Sequence, residues 1–258
     1  MADDIDDVGS GIPLVLLHAF PLSWEMWWPQ RDALASVCRV IAPDLPGFGN
    51  APLLDGPPTV EGMADAVARK LDALGVAGPV VLGGLSMGGY VAFAFARKYP
   101  DRLAGLILAD TRAEPDDDAA KANRDKMIGF AATNPASAVI EQMLPKLLGA
   151  TTHARRPELV DQVRRIGSAQ RPAGIIAALQ VLRNRPDSRP TLKAIHLPTL
   201  VIVGGEDALT PPSAAEGMAK GIAGARLVIL GEAGHLSNLE RPEAFGDAVR
   251  AFVAECRG

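Results

Sequence analysis

Short, mostly apolar runs punctuate the chain at 14–17, 39–42, 80–82, 103–109, 199–203 and 226–230. Continuous runs of this length, without polar alternation, predict strands buried on both faces. Between them the apolar period lengthens to that of a helix. After Thr59, the residues Val60, Met63, Ala64, Val67, Leu71 and Leu74 share one helical face, Glu61 favours the first turn, and Gly75 ends the element. Thr59 begins no capping box, because Gly62 has no side chain to reach back. Ser23 is placed to cap a helix running to about 36. Another helix over 87–98 stops ahead of Pro100, and Leu239, Phe245, Val249, Phe252 and Val253 stripe a final helix over 238–255. The acidic start, Asp3 to Asp7, reads as a solvated or frayed end. Buried strands separated by helices predict an α/β fold, a mostly parallel sheet covered on both faces.

Between 111 and 196 the character changes, and no convincing strand occurs. The pattern predicts helices at 116–133, 136–148, 157–168 and 172–183, broken at Pro135, Pro145, Pro157 and Pro172. An ordinary crossover between parallel strands is far shorter. The segment therefore reads as a helical cap inserted between two strands. That divides the chain into a core of 1–110 and 197–258 and a cap of 111–196.

Composition agrees with a single large α/β unit. Of 258 residues, 48% are apolar and 22% charged, a balance that supports a sizeable core. Lysine and arginine number 26 against 30 aspartates and glutamates, a net charge of −4. Without a long basic run, this argues against nucleic acid as a partner. No apolar run approaches the length of a membrane span. The first residues carry acids where a secretory leader needs a basic region, so the expected setting is cytoplasmic. Two cysteines, Cys38 and Cys256, suggest neither a disulfide scaffold nor a zinc site.

The strongest chemical signal is Gly83-Gly84-Leu85-Ser86-Met87-Gly88-Gly89, which contains G-x-S-x-G between a predicted strand and a predicted helix. The bare pattern is common, and the strand–turn–helix context gives it weight. A serine on so tight a turn presents its hydroxyl above the sheet at a helix N-terminus, where negative charge is favoured. Serine is a poor nucleophile at neutral pH and needs a base. Of His18, His153, His196 and His235, the last follows the strand at 226–230 in Glu232-Ala233-Gly234-His235. That places it at the same strand-end edge as Ser86. His153 lies in the cap and His196 precedes a strand, and both read as ordinary surface or core imidazoles. The orienting acid should be Asp207, in Gly204-Gly205-Glu206-Asp207 after 199–203, with Asp110, Glu206 and Glu232 as rivals. Backbone amides of Met87 and Phe20, the latter in His18-Ala19-Phe20-Pro21, are the candidates for an oxyanion hole. A protonated His235 could not act as base, so activity should fall at low pH.

From about 14 to 255 the chain resembles the α/β-hydrolase family. The resemblance rests on H-A-F-P at 18–21, A-P-D-L-P-G-F-G at 42–49, G-L-S-M-G-G at 84–89, G-G-E-D at 204–207 and A-G-H at 233–235. It implies the α/β-hydrolase fold and the triad Ser86, Asp207 and His235, with no metal or organic cofactor. Where the family commonly has His-Gly, this chain has His18-Ala19. The family's antiparallel hairpin ahead of the first parallel strand should be short or partly missing. The chain is most similar to small serine carboxylesterases and 3-oxoadipate enol-lactonase-like hydrolases, which implies a small ester or lactone as substrate. Perhydrolases, haloperoxidases and carbon–carbon bond hydrolases share the same triad. A receptor-like protein on this scaffold, with little turnover, is the alternative from another class. Oligomeric state is open.

Two further groups have bland and functional readings. Trp24, Trp27 and Trp28 pack the first helix or line an acyl pocket. Among Arg112, Arg124, Arg155, Arg156, Arg164, Arg165 and Arg171, one could clamp a substrate carboxylate, against the plainer reading of solvated helix faces.

Overall fold

The computed structural model describes residues 4–256. Seven strands form one sheet: β1 (Ile5–Val8), β2 (Pro13–Leu17), β3 (Arg39–Pro43), β4 (Val80–Leu85), β5 (Leu103–Ala109), β6 (Thr199–Gly204) and β7 (Arg226–Leu230), in the order β1-β3-β2-β4-β5-β6-β7. All neighbouring pairs are parallel except β1 with β3. The helices are α1 (Trp28–Leu34), α2 (Val60–Ala73), α3 (Met87–Lys98), α4 (Asp118–Ala131), α5 (Ala136–Leu147), α6 (Ala150–Arg155), α7 (Pro157–Ser168), α8 (Pro172–Asn184), α9 (Arg189–Leu192), α10 (Pro212–Gly221), α11 (Ser237–Glu240) and α12 (Pro242–Glu255). Among the described residues, no helix is long and apolar enough to cross a membrane.

The continuous apolar runs have the expected cause. Successive side chains of a strand point to opposite faces. Leu14 and Leu16 join Trp27, Leu34, Phe245 and Phe252 in one core cluster, while Val15 and Leu17 join Val67, Leu71, Val91 and Phe95 in the other. The sheet thus lies between α1 and α12 on one side and α2 and α3 on the other. Because β2 and β4 to β7 run in parallel, the loops that follow them share one edge, and the chemistry collects there.

Several local expectations are corrected. The acidic start is a strand: Ile5–Val8 pairs with β3, and its acids meet arginines, Asp6 with Arg31 at 2.7 Å and Asp7 with Arg39 at 2.6 Å. Asp3 lies outside the described residues. The helix expected from Ser23 is a 3-10 turn, Trp24–Trp27, followed by α1, and the Ser23 side chain makes no capping bond. Pro29, near the start of α1, has no amide to carry an α-helical ladder back through this point. Strand β4 runs on through Gly83 and Gly84, which sit opposite Leu16 and Leu17 of β2. The final helix is two, broken at Arg241 ahead of Pro242. Pro145 does not break α5, because it falls in the last turn, where the carbonyl it leaves unbonded belongs to exposed Glu141. Helices α6, α9 and α10 had no sequence counterpart.

Candidate active site

Ser86 sits alone between β4 and α3, with φ +53° and ψ −111°. Such a conformation costs a non-glycine residue about 1–3 kcal/mol and persists only where its surroundings enforce it. Here they do. The Ser86 amide donates to the carbonyl of Ala109 at 2.9 Å, and its own carbonyl accepts from the amides of Gly89 and Tyr90 and from the Thr111 hydroxyl. The glycines make the turn possible by close approach. A Cβ on Gly84 would lie 2.1 Å from the carbonyl oxygen of Gly88, and one on Gly88 would lie 2.1 Å from that of Leu17.

The loop after β7 brings His235 to this serine. Its Nε2 lies 2.8 Å from Ser86 Oγ, and its Nδ1 lies 2.8 Å from Asp207 Oδ2. An ionised carboxylate only accepts, so Nδ1 carries the proton and Nε2 is left to accept from the serine. Asp207 is buried, yet each oxygen is satisfied: Oδ1 accepts from the amides of Leu209 and Thr210, and Oδ2 from the Thr210 hydroxyl at 2.6 Å. Burial pushes this carboxyl up, but the His235 charge, the hydrogen bond from His235 and those from Thr210 outweigh it and hold the group below 3.8.

The rival acids stand elsewhere. Asp110 follows β5 and is fully buried, but it accepts from the Gly204 amide at 2.8 Å and the Ser237 hydroxyl at 2.5 Å rather than from His235. Burial, then the charge of Asp207, raises it well above 3.8. Glu206 binds the amide and hydroxyl of Thr151 at the start of α6, and Glu232 pairs on the surface with Arg155 and Arg241. His153 and His196 are exposed. Met87 is the first residue of α3, where a helix has no internal partner for its amide. Phe20 lines the hollow that contains Ser86 and His235.

Three side chains take parts that the sequence did not reveal. Thr210 stands three residues after Asp207 and donates its amide and hydroxyl to that carboxylate; the Asp-to-Thr spacing of an Asx-type turn is the signal that would have pointed to it. His18 is fully buried. Its Nδ1 lies 3.0 Å from the Ala19 carbonyl and its Nε2 accepts from the Leu45 amide at 2.9 Å, tying the 18–21 loop to the turn after β3. Burial depresses its pKa to about 4, against the bond to Ala19, so it is a neutral structural imidazole. Glu240 is buried beneath the His235 loop, where its carboxylate meets backbone amides.

The hollow at Ser86 holds about 80 Å³ and is bounded by Phe20, Tyr90, Met143, Leu147, Arg112 and Arg124, among others. Wider surface hollows of about 360–440 Å³ contain neither Ser86 nor His235. The tryptophans are absent from its wall: Trp27 is buried against Phe245, with ring centroids 6.0 Å apart, and Trp28 is exposed. Most of the arginines singled out in the sequence pair elsewhere: Arg164 with Glu141 and Asp161, Arg165 with Glu25, Arg171 with the carbonyl of Ala51.

Residues 12–242 match the family described as alpha/beta hydrolase fold. The chain is 34% identical over 247 residues to a pimeloyl-[acyl-carrier protein] methyl ester esterase of Neisseria meningitidis, covering 92% of each. Among solved structures it is similar to a thermophilic esterase from Thermogutta terrifontis, described with malate bound, at TM-score 0.95 and 44% identity, covering 98% of this chain and 93% of that one. It also resembles the enol-lactonase from Burkholderia xenovorans LB400, at TM-score 0.89 and 30% identity, covering 97% and 95%.

Proposed function

The chain belongs to the α/β-hydrolase family, and from that premise we propose that it hydrolyses small carboxylic esters, lactones included, through an acyl-enzyme on Ser86. The observation that carries this reading is the continuous hydrogen-bonded line from Ser86 Oγ through both nitrogens of His235 to Asp207, each link 2.8 Å. Esterase and enol-lactonase relatives support the substrate class.

The chemistry follows from the atoms. His235 Nε2 takes the proton of Ser86 as Oγ attacks the carbonyl carbon. Asp207, unable to leave its carboxylate form easily among so many donors, holds Nδ1–H and stabilises the imidazolium. The amides of Met87 and Phe20 receive the charge that develops on the carbonyl oxygen. The alcohol departs with the proton on Nε2. Water then enters, gives a proton to the same nitrogen and cleaves the acyl-enzyme, which restores Ser86. A lactone follows the same course, its alcohol remaining on the product. The helices between β5 and β6 act as a cap: Met143, Leu147 and Leu182 wall the small hollow and favour short acyl groups. The proposed setting is the cytoplasm.

The test is turnover of p-nitrophenyl acetate and butyrate by the wild type and by Ser86→Ala. The wild type should release nitrophenol and the variant should not. A serine-directed phosphonate should label Ser86, as read by mass spectrometry. Equal, slow release by both proteins would sink the reading.

A further inference from the structure

Beside the hollow at Ser86, three guanidiniums have a single carboxylate among them. Arg185 and Asp116 form a buried pair at 2.6 Å, and the Arg185 guanidinium also lies 4.3 Å from the centre of the Tyr90 ring. Arg124 approaches the same carboxylate at 3.1 Å. One carboxylate therefore serves two guanidiniums. Arg112 has no carboxylate partner among the described residues: it donates only to the carbonyl of Leu209, and its buried Nε has no partner at all. Asp207, the acid nearest in sequence to Leu209, is engaged by His235, Thr210 and two amides. Arg112 and Arg124 both border the hollow that contains Ser86, among largely apolar neighbours.

Arg112 is half-buried, without a carboxylate of its own among the described residues, and Arg124 shares Asp116 with Arg185, so both keep donors to offer an arriving anion. A guanidinium presents a planar fork of donors that matches a carboxylate. We infer that Arg112 and Arg124 form an anion subsite, and that the preferred substrate of this esterase is an ester bearing a free carboxylate a short distance from the scissile bond. The inference rests on the ester-hydrolase reading but adds the substrate's charge. It distinguishes Arg112 and Arg124 from the surface-paired arginines of the same segment.

The experiment compares esters of similar size and different charge. Monomethyl succinate and monomethyl glutarate carry the carboxylate on the acyl side, and 3-acetoxypropanoate carries it on the alcohol side. Methyl pentanoate is neutral, and the methyl ester of glycine betaine is cationic. Wild-type kcat/KM should fall in the order anionic, neutral, cationic, with an advantage of about 10- to 100-fold for at least one carboxylate position over the neutral ester. Arg112→Gln and Arg124→Gln should each shrink that advantage by about tenfold or more, chiefly through KM. A flat or inverted order in the wild type overturns the subsite, and so does an advantage that both variants retain. If either variant fails to fold, the wild-type order and the other variant still decide. Binding of monomethyl glutarate and methyl pentanoate to the Ser86→Ala protein, by calorimetry, reads the subsite without turnover. A wild type that hydrolyses none of these esters, alongside tight binding of monomethyl glutarate by Ser86→Ala, would refute the esterase reading and keep the subsite, whereas equal binding of the two esters would refute the subsite.

Discussion

The carboxylate of Glu240 brackets His235, its Oε1 accepting from the amide of Gly234 at 2.9 Å and from that of Leu236 at 3.2 Å. Its other oxygen accepts from the amide of Gly149 at 2.8 Å and the hydroxyl of Thr152 at 2.6 Å, on the segment between β5 and β6. One buried side chain thus joins the loop that presents the imidazole to the helices that wall the hollow. Glu240→Gln keeps one acceptor and turns an NH2 group toward donors. The orphaned amide should lower stability by about 1–3 kcal/mol. Since the imidazole is then less well held, kcat should fall more than KM rises. Urea unfolding and steady-state kinetics on one ester measure both. A variant of unchanged stability and kcat would show that the loop needs no such anchor.

Asp207 and Asp110 follow adjacent strands, yet only the first touches His235. Asp207→Asn should lower kcat by about 10³- to 10⁴-fold by disturbing the imidazole tautomer, while Asp110→Asn should cost far less. Their effects on stability differ in sign with pH. Asp207 is held below 3.8, so its stabilisation is present above that value and lost as pH falls through the lowered one. Asp110 is raised well above 3.8, so its stabilisation is complete below that value and lost as pH rises through the raised one. Asparagine stays neutral and tolerates the positive φ of position 110. Asp110→Asn should match the wild type near pH 4 and exceed it near pH 8 in urea unfolding. A deficit that is constant across pH would overturn this.

The strand ends that carry Ser86, Asp207 and His235 were legible because their signals are local. An apolar run stops, glycines follow, and the polar residue comes within a few positions. The mostly parallel architecture followed from the same runs. What sequence did not reveal depends on partners far along the chain. Asp6 and Asp7 look solvated until Arg31 and Arg39 are folded beside them. Glu240 looks like a surface acid until Gly149 and Thr152, about ninety residues away, are brought to it. Ser23 has the right identity for a cap, but Pro29 decides where the α-helix can begin. The inverse also held at Pro145, where position within the helix mattered more than residue type.

His18 makes an acid-sensitive contribution. The unfolded chain takes up its proton near 6.5, whereas the buried ring takes it up only at about 4. The unfolded state therefore binds more protons between these values, and stability falls as pH drops through that window, by about 3 kcal/mol in all. His18→Gln should lower stability at pH 7, because the Leu45 amide loses its well-placed acceptor, but should flatten the decline between pH 6.5 and 4.5. Denaturant midpoints at several pH values give the slope for each protein. A slope unchanged in the variant would place the acid sensitivity elsewhere.

The glycines divide into those that the turn at Ser86 requires and those that merely sit in helices. Alanine at 84 or 88 would drive a Cβ to 2.1 Å from a backbone oxygen, and backbone has no alternative rotamer to retreat to. Either substitution should cost about 2–4 kcal/mol and displace Ser86, so that activity is lost beyond what instability explains. Gly129 in α4 and Gly217 in α10 are exposed, a Cβ there would meet nothing within 4 Å, and neither has a positive φ. There alanine restricts the unfolded chain and should stabilise by about 0.5–1 kcal/mol. Gly217→Ala, remote from the hollow, should keep wild-type kcat. Equal tolerance of alanine at 88 and 217, in unfolding and in turnover, would mean that close packing at the serine turn is not what sets its geometry.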